Sequence, residues 1–261
     1  MSILAFFIAL LSSTVGAICG IGGGVIIKPV MDLFQMGSVP TISFLSSCTV
    51  LSMSCYSVGK AIYARERRVE LAVGTPLAIG AAIGGLAGTQ LFAVVKNLSG
   101  RPDTVGAVQS ACLAVITLGT LLYTAYKAQI PGRRLSHPVA CVTIGLALGI
   151  CSSFLGIGGG PINLVVLYYF FNMDTKTAAA NSLYIILFSQ TANFLTTLAT
   201  GAVPAFQPLM LAGMVVGGIG GGMIGRAMNR KMNGQAVERL FTGLMAVIIL
   251  ISMYNCWRFL G

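Results

Sequence analysis

Charge is what this sequence has least of. Only 8% of its 261 residues are charged, against ~25% in soluble globular domains, and a soluble protein of this size could not cover its surface with so few. The six acids, Asp32, Glu66, Glu70, Asp103, Asp174 and Glu238, fall at the ends of apolar segments or between them, and the one histidine, His137, sits at a segment boundary. The apolar segments therefore hold no paired carboxylates, no metal-ligand spacing and no catalytic triad. That pattern predicts a protein that is not an enzyme, with no catalytic residue, cofactor or metal, and it leaves no carboxylate well inside a segment to relay protons. Seven cysteines occur without a CxxC pair, mostly in apolar surroundings, which speaks against a disulfide framework or a zinc site. No glycine-rich stretch continues into Gly-Lys-Ser/Thr, so a phosphate-binding P-loop is excluded as well.

What the sequence has is apolar length. Hydrophobic residues make up 56% of it, in continuous runs that do not alternate as barrel strands would, so the expected class is an all-α integral membrane protein. The 33 glycines suit close helix approach in a bilayer. A net charge of +10 comes from Lys and Arg in short gaps between apolar runs, where headgroups and topology account for them; nucleic acid is not an expected partner. Met1–Ala17 is apolar like a secretory leader but lacks a basic start, and it runs directly into a motif that recurs later, so it reads as part of the membrane domain.

Six stretches read as ordinary spans: 41–62, 71–95, 104–126, 177–199, 205–227 and 236–257. Two others, 3–35 and 138–171, are too long for one crossing, since more than thirty helical residues reach ~50 Å. Each is interrupted by the same five residues, Gly20-Ile21-Gly22-Gly23-Gly24 and Gly156-Ile157-Gly158-Gly159-Gly160, 136 positions apart. Ser46-Ser47 and Asn181-Ser182 roughly keep that offset. Two repeats follow, 1–130 and 131–261, in one membrane domain.

The basic residues decide their relative orientation. If each broken segment crossed once, eight positive residues would face one side and seven the other. If each dips in and returns, Lys60, Arg65, Arg67, Arg68, Lys127, Arg133, Arg134, Lys176, Arg226, Arg230, Lys231 and Arg239 share a face and Lys96, Arg101 and Arg258 hold the other. Twelve against three is a positive-inside bias; it predicts a cell-membrane protein with both termini outside. A reentrant segment does not cross, so each repeat makes three crossings, an odd count, and the second repeat is expected to be inverted. The glycine turns then meet near the midplane. Pro161 begins a helix at its first position and Pro29 falls in the first turns of another, so two helix N-termini would present N–H groups and positive dipole ends to an anion.

These paired motifs, with Pro29 and Pro161-Ile162 behind them, resemble those of the sulfite exporter TauE/SafE family, and Asn181-Ser182-Leu183 is similar to its second-repeat pattern. Val165 stands where that family often has proline, and Ser46-Ser47-Cys48 where it often has Gly-Thr-Ser. Covering essentially the whole chain, the resemblance implies a transporter of small anions such as sulfite, sulfonates or thiosulfate; the inverted repeats lead us to expect that it works by alternating access. The rival classes are an anion channel and a non-transport subunit of a membrane complex. Candidate substrate-binding residues are the backbone of Gly22, Gly23, Gly24, Gly158, Gly159 and Gly160, together with Lys28, Asn163, Asn181, Ser182, Ser47 and Gln190. Ser46 and Thr49 are further neutral donors, and Cys19 lies beside the first turn. Lys28 is the only basic residue well inside an apolar segment, which marks a function unless it reaches the interface or pairs with Asp32 one turn on. The expected partners are a small anionic solute and the bilayer, with room for a homo-oligomer.

Overall fold

Prolines, glycines and capping side chains cut the apolar sequence into helices. The computed structural model describes residues 1–64, 69–99, 102–135, 137–157 and 159–260. Gly158, Arg65, Glu66, Arg67, Arg68 and Arg101 lie outside the described residues, as do the side chains of Lys96 and Asp103. The elements are α1 (Ser2–Cys19), α2 (Gly24–Leu33), α3 (Val39–Tyr63), α4 (Leu71–Ser99), α5 (Pro102–Tyr126), α6 (Pro138–Leu155), α7 (Pro161–Phe171), α8 (Thr175–Ala199), α9 (Pro208–Lys231) and α10 (Gly234–Leu260), with a 3-10 turn at Lys127–Gln129. Proline opens α6, α7 and α9 at the first position, where its missing N–H is no loss. Asp174 caps α8 by accepting from the Thr177 N–H at 2.8 Å, and Ser38 is the N-cap of α3. Each long limb of a broken segment ends on a left-handed glycine, Gly20 at φ 78° and Gly156 at φ 64°, the conformation a side chain would disfavour.

Among the described residues seven helices combine the length and hydropathy of a membrane crossing: α1, α3, α4, α5, α6, α9 and α10. The chain is a multi-pass membrane protein. All six expected spans form helices, α8 among them. α8 is as long as α3 but is not one of the seven, because Asn181, Ser182, Ser189 and Gln190 interrupt its apolar run, and the bundle buries all four. Both overlong segments are helix pairs, 18 residues then 10, and 18 residues then 11.

The long limbs lie against the opposite half of the chain. A Cβ added at Gly80, Gly84 or Gly88 of α4 would come within 2.1–2.5 Å of the carbonyl oxygens of Val142, Leu146 and Ile150 on α6. Gly217, Gly221 and Gly225 of α9 make the same approach, 2.2–2.8 Å, to the carbonyl oxygens of Phe6, Leu10 and Thr14 on α1. Backbones this close are what small-xxx-small spacing permits. The two ladders occupy equivalent positions, 137 residues apart on the glycines and 136 on their partners.

These contacts also give helix directions. α1 and α9 run parallel, and so do α4 and α6, because position rises along both partners of each ladder. α3 runs with α9, Gly218 meeting Thr49 and Gly222 meeting Met53; α8 runs with α4, Gly74 meeting Asn181 and Gly85 meeting Ser189. α3 and α8 are antiparallel, with Phe44 stacked on Phe194 and Ser57 and Ala61 beside Lys176 and Ala179. α5 and α10 are antiparallel too, Gly106 lying on Phe259 and Lys127 pairing with Glu238. One end of the bundle gathers Ser2, Thr41, Ala205 and the Arg258–Leu33 contact. The other gathers Lys127, Thr175, Lys176, Gln235 and Glu238.

Candidate functional site

The two glycine breaks touch. A Cβ on Gly24 would fall 1.9 Å from the Ile157 carbonyl oxygen and 3.0 Å from Ser46 Oγ, and one on Gly160 would meet Ile157 Cδ1 and Val25. Each turn also inserts between other elements. Gly20 packs on Ala179 in the second turn of α8, Gly156 on Ser43 in the second turn of α3, and Gly159, at φ 118°, on Ile186. Gly22 is left-handed at φ 72° and Gly23 is the N-cap of α2, held against Ser13. The first N–H groups used within α2 are those of Ile26 and Ile27, both on the Gly23 carbonyl. The N–H groups of Gly24 and Val25 therefore stand ahead of the helical ladder, and the positive end of α2 points into the contact. In α7 Asn163 is the first to donate, to Gly160 at 3.1 Å, and Pro161 has no N–H to give.

Buried polar side chains lie on the elements that meet here. Ser13, Ser43, Ser46, Ser153 and Ser182 each have a hydroxyl oxygen with no hydrogen-bond partner among the described residues; so do Asn163 through Oδ1 and Gln190 through both amide atoms. Ser182 lies on the face of α8 between Ala179 and Ile186, the residues that receive Gly20 and Gly159. Ser47 lines a cleft that reaches Gly156. The amide of Asn181 is engaged elsewhere: its Oδ1 accepts from the Glu70 N–H at 3.1 Å and its Nδ2 donates to the Thr177 carbonyl at 2.9 Å, joining the start of α4 to α8. Thr49 returns its hydroxyl to the Leu45 carbonyl at 2.8 Å. Cys19 points its thiol toward the Val237 carbonyl, 4.0 Å away.

Lys28 does pair with Asp32, Nζ to Oδ2 3.1 Å, but neither reaches an interface: each side chain is 3% exposed. The expectation that no carboxylate is buried is corrected here at Asp32. The return limb α2 lies inside the bundle along its whole length, against Ile8, Ile42, Leu45 and Asn255, so its last turn is buried although it ends an apolar segment.

Two clefts approach the breaks from opposite ends of the bundle, each between α3 and α8. One, of about 150 Å³, is lined by Ser43, Phe44, Ser47, Thr89, Phe92 and Ala93, with Gln109, Ser153 and Gly156 at its floor. The other, of about 50 Å³, is lined by Ala179, Ala180, Leu183, Arg226, Asn229 and Arg230, with Ala17 and Lys176. The first six residues of each set are equivalent positions, 136 or 137 apart. One mouth is neutral and aromatic; the other carries three positive side chains. Sequence reasoning missed the ladders, Gln109, and the matched clefts. The ladders had a signal, a Gly-x3-Gly-x3-Gly spacing repeated 137 residues on. Gln109 had none, being one polar residue in an apolar helix.

Fold and site together define a multi-pass membrane protein with two broken-helix turns in contact. Residues 5–252 match the family described as Sulfite exporter TauE/SafE, and the chain belongs to that family. No curated protein and no solved structure matches it.

Proposed function

We propose that this protein carries a small sulfur oxyanion, of the sulfite, sulfonate or thiosulfate class, across the cell membrane by alternating access. The observation that carries the reading is the contact of the two breaks, where α2 and α7 begin against one another with the buried hydroxyls of Ser13, Ser43 and Ser46 beside them. Helix N-termini favour negative charge, and irregular backbone at membrane depth is tolerated where it is enclosed by protein or lines a cavity. The anion binds to N–H groups at Gly22–Gly24 and Gly158–Gly160, with Lys28 supplying charge and Ser47, Asn163, Ser182 and Gln190 neutral hydrogen bonds. Asn181 holds α8 in register behind them.

Residues 1–130 and 131–261 act as two inverted repeats, each a reentrant helix pair and three spans. Helix directions support this: α1, α3 and α9 oppose α6, α8 and α4, their equivalents in the other half. α2 likewise leads back to the end where α1 starts, and α7 to the end where α6 starts. The end bearing Lys60, Lys127, Lys176, Arg226 and Arg230 faces the cytoplasm, so both termini lie outside. Rocking of one half against the other along the α3–α8 seam opens the two clefts in turn.

The test is flux in proteoliposomes against sulfite, sulfate, thiosulfate, methanesulfonate and acetate. Saturable movement of a sulfur oxyanion that Lys28→Met weakens tenfold or more is expected. Flux that rises linearly with concentration would indicate a channel, and no flux of any of the five would sink the reading.

A further inference from the structure

Lys28 and Asp32 stand one helical turn apart on α2, and the pair lies just behind the neutral cleft. A narrow cavity lined by Lys28, Asp32, Gln109, Ser110, Leu155 and Ser252 adjoins that cleft, and Gln109 lines both. Lys28 Cε lies 3.5 Å from a Cβ built on Gly156, so the lysine stem rests on the second break. Asp32 uses one carboxylate oxygen on Lys28, and its Oδ1 has no hydrogen-bond partner among the described residues. Of the elements packed on α2, α1 and α3 bring Ile8, Ala9, Ile42 and Leu45; α5 brings Gln109, Ser110 and Leu113, and α6 brings Leu155. α10 brings Ser252, Asn255 and Arg258, and the Arg258 guanidinium donates to the backbone carbonyls of Asp32 and Leu33, not to the carboxylate. Among the described residues around it, Asp32 therefore has one carboxylate partner, Lys28.

That arrangement has a consequence for any anion that binds Lys28. An ammonium shared between two anions holds each less tightly, and a carboxylate left buried without its partner carries a large penalty that a neutral acid escapes. We propose that Lys28–Asp32 is a proton-coupling element: an anion arriving at the second break draws Lys28 away from Asp32, and Asp32 takes a proton from water in the open cleft. Lys28 remains an ammonium throughout. When the anion leaves on the other side, Lys28 returns to Asp32 and the proton departs with the anion, so one proton moves with each anion. This rests on the transport reading above; Asp32 touches Lys28 and not the anion, so it acts on the site as a positioning residue.

The full chain in proteoliposomes tests it, with the membrane potential clamped, sulfite supplied at a pH where it is a dianion, and methanesulfonate as an anion whose charge does not change with pH. A dye reports internal pH. Wild type is expected to move about one proton per anion and, across a gradient of one pH unit, to accumulate anion about tenfold. Asp32→Asn is expected to keep anion exchange at equal concentrations while losing both proton movement and accumulation, and Asp32→Glu to restore them. Should Asp32→Asn not fold, calorimetry of anion binding to wild type in two buffers of different ionisation heat counts the protons taken up, expected near one per anion. Wild-type flux without proton movement, zero proton uptake on binding, or an Asp32→Asn protein with the full gradient response overturns the coupling alone. Absence of both flux and binding for wild type with every one of the five anions named above overturns the transport reading, and the coupling with it.

Discussion

Gly24 and Gly160 are equivalent residues in the two halves, yet alanine should affect them very differently. Gly24 sits at the first position of α2 with ordinary helical backbone, so alanine there brings no conformational strain. It brings a collision: the new Cβ would lie 1.9 Å from the Ile157 carbonyl oxygen, where real Cβ atoms keep at least 3.0 Å. The atom in the way is backbone of the other turn and cannot rotate aside, so the breaks must separate by about 1 Å. Overpacking of this kind costs about 1–3 kcal/mol, which for a chain this size is a fall in Tm of roughly 3–10 °C. Displacement by 1 Å at a ligand site is expected to lower flux about tenfold or more. At Gly160 the backbone is extended, φ −177°, and the nearest obstacle is the Cδ1 tip of Ile157 at 3.2 Å, a flexible group that moves for less than about 1 kcal/mol. Gly160→Ala should therefore fold and transport nearly as wild type. Thermal unfolding followed by size exclusion in detergent, with flux in proteoliposomes, measures both quantities. Equal effects of the two substitutions, or a Gly24→Ala protein with wild-type stability and flux, would refute the argument that contact between the breaks makes the site.

Along the glycine ladders, Gly84→Ala and Gly221→Ala should each lose about 1–3 kcal/mol of stability, because their Cβ atoms would meet carbonyl oxygens at 2.1 and 2.4 Å. Gly119→Ala, with nothing within 4 Å, should be neutral or gain up to about 1 kcal/mol from helix propensity; detergent Tm distinguishes the cases. Asn181→Ala should lower stability by about 1–3 kcal/mol through the Glu70 N–H it leaves behind with anion affinity unchanged, whereas Ser182→Ala should weaken affinity at unchanged Tm. In a cysteine-free background, a thiol at Ser38 should be labelled by an impermeant reagent from outside and one at Thr175 only from the cytoplasm; the opposite pattern at either position would refute the reentrant topology.

How much of this could be read from the sequence follows from the range of each interaction. Spans were legible because hydropathy is summed over twenty adjacent residues, and the breaks because five glycine-rich residues recur intact. α8 was legible as a helix although polar residues interrupt it, since its length and flanks survive four or five substitutions. Partner choice was not legible: that Gly84 meets Leu146, or Gly221 meets Leu10, depends on which helix lies alongside. A glycine in a span signals close approach without naming the neighbour. Asp32 shows the same limit at the site itself. Its position near the end of an apolar segment says that chain polarity is rising there, and ordinarily the next residues are in water. The segment is folded back on itself, however, so position along the chain no longer measures depth, and a carboxylate four residues from a lysine becomes a buried ion pair. The break that made the candidate site legible thus also hid the burial of Asp32. In folds of this type, charged residues just beyond a glycine break are to be placed by the length of the return limb and not by the hydropathy of the segment that contains them.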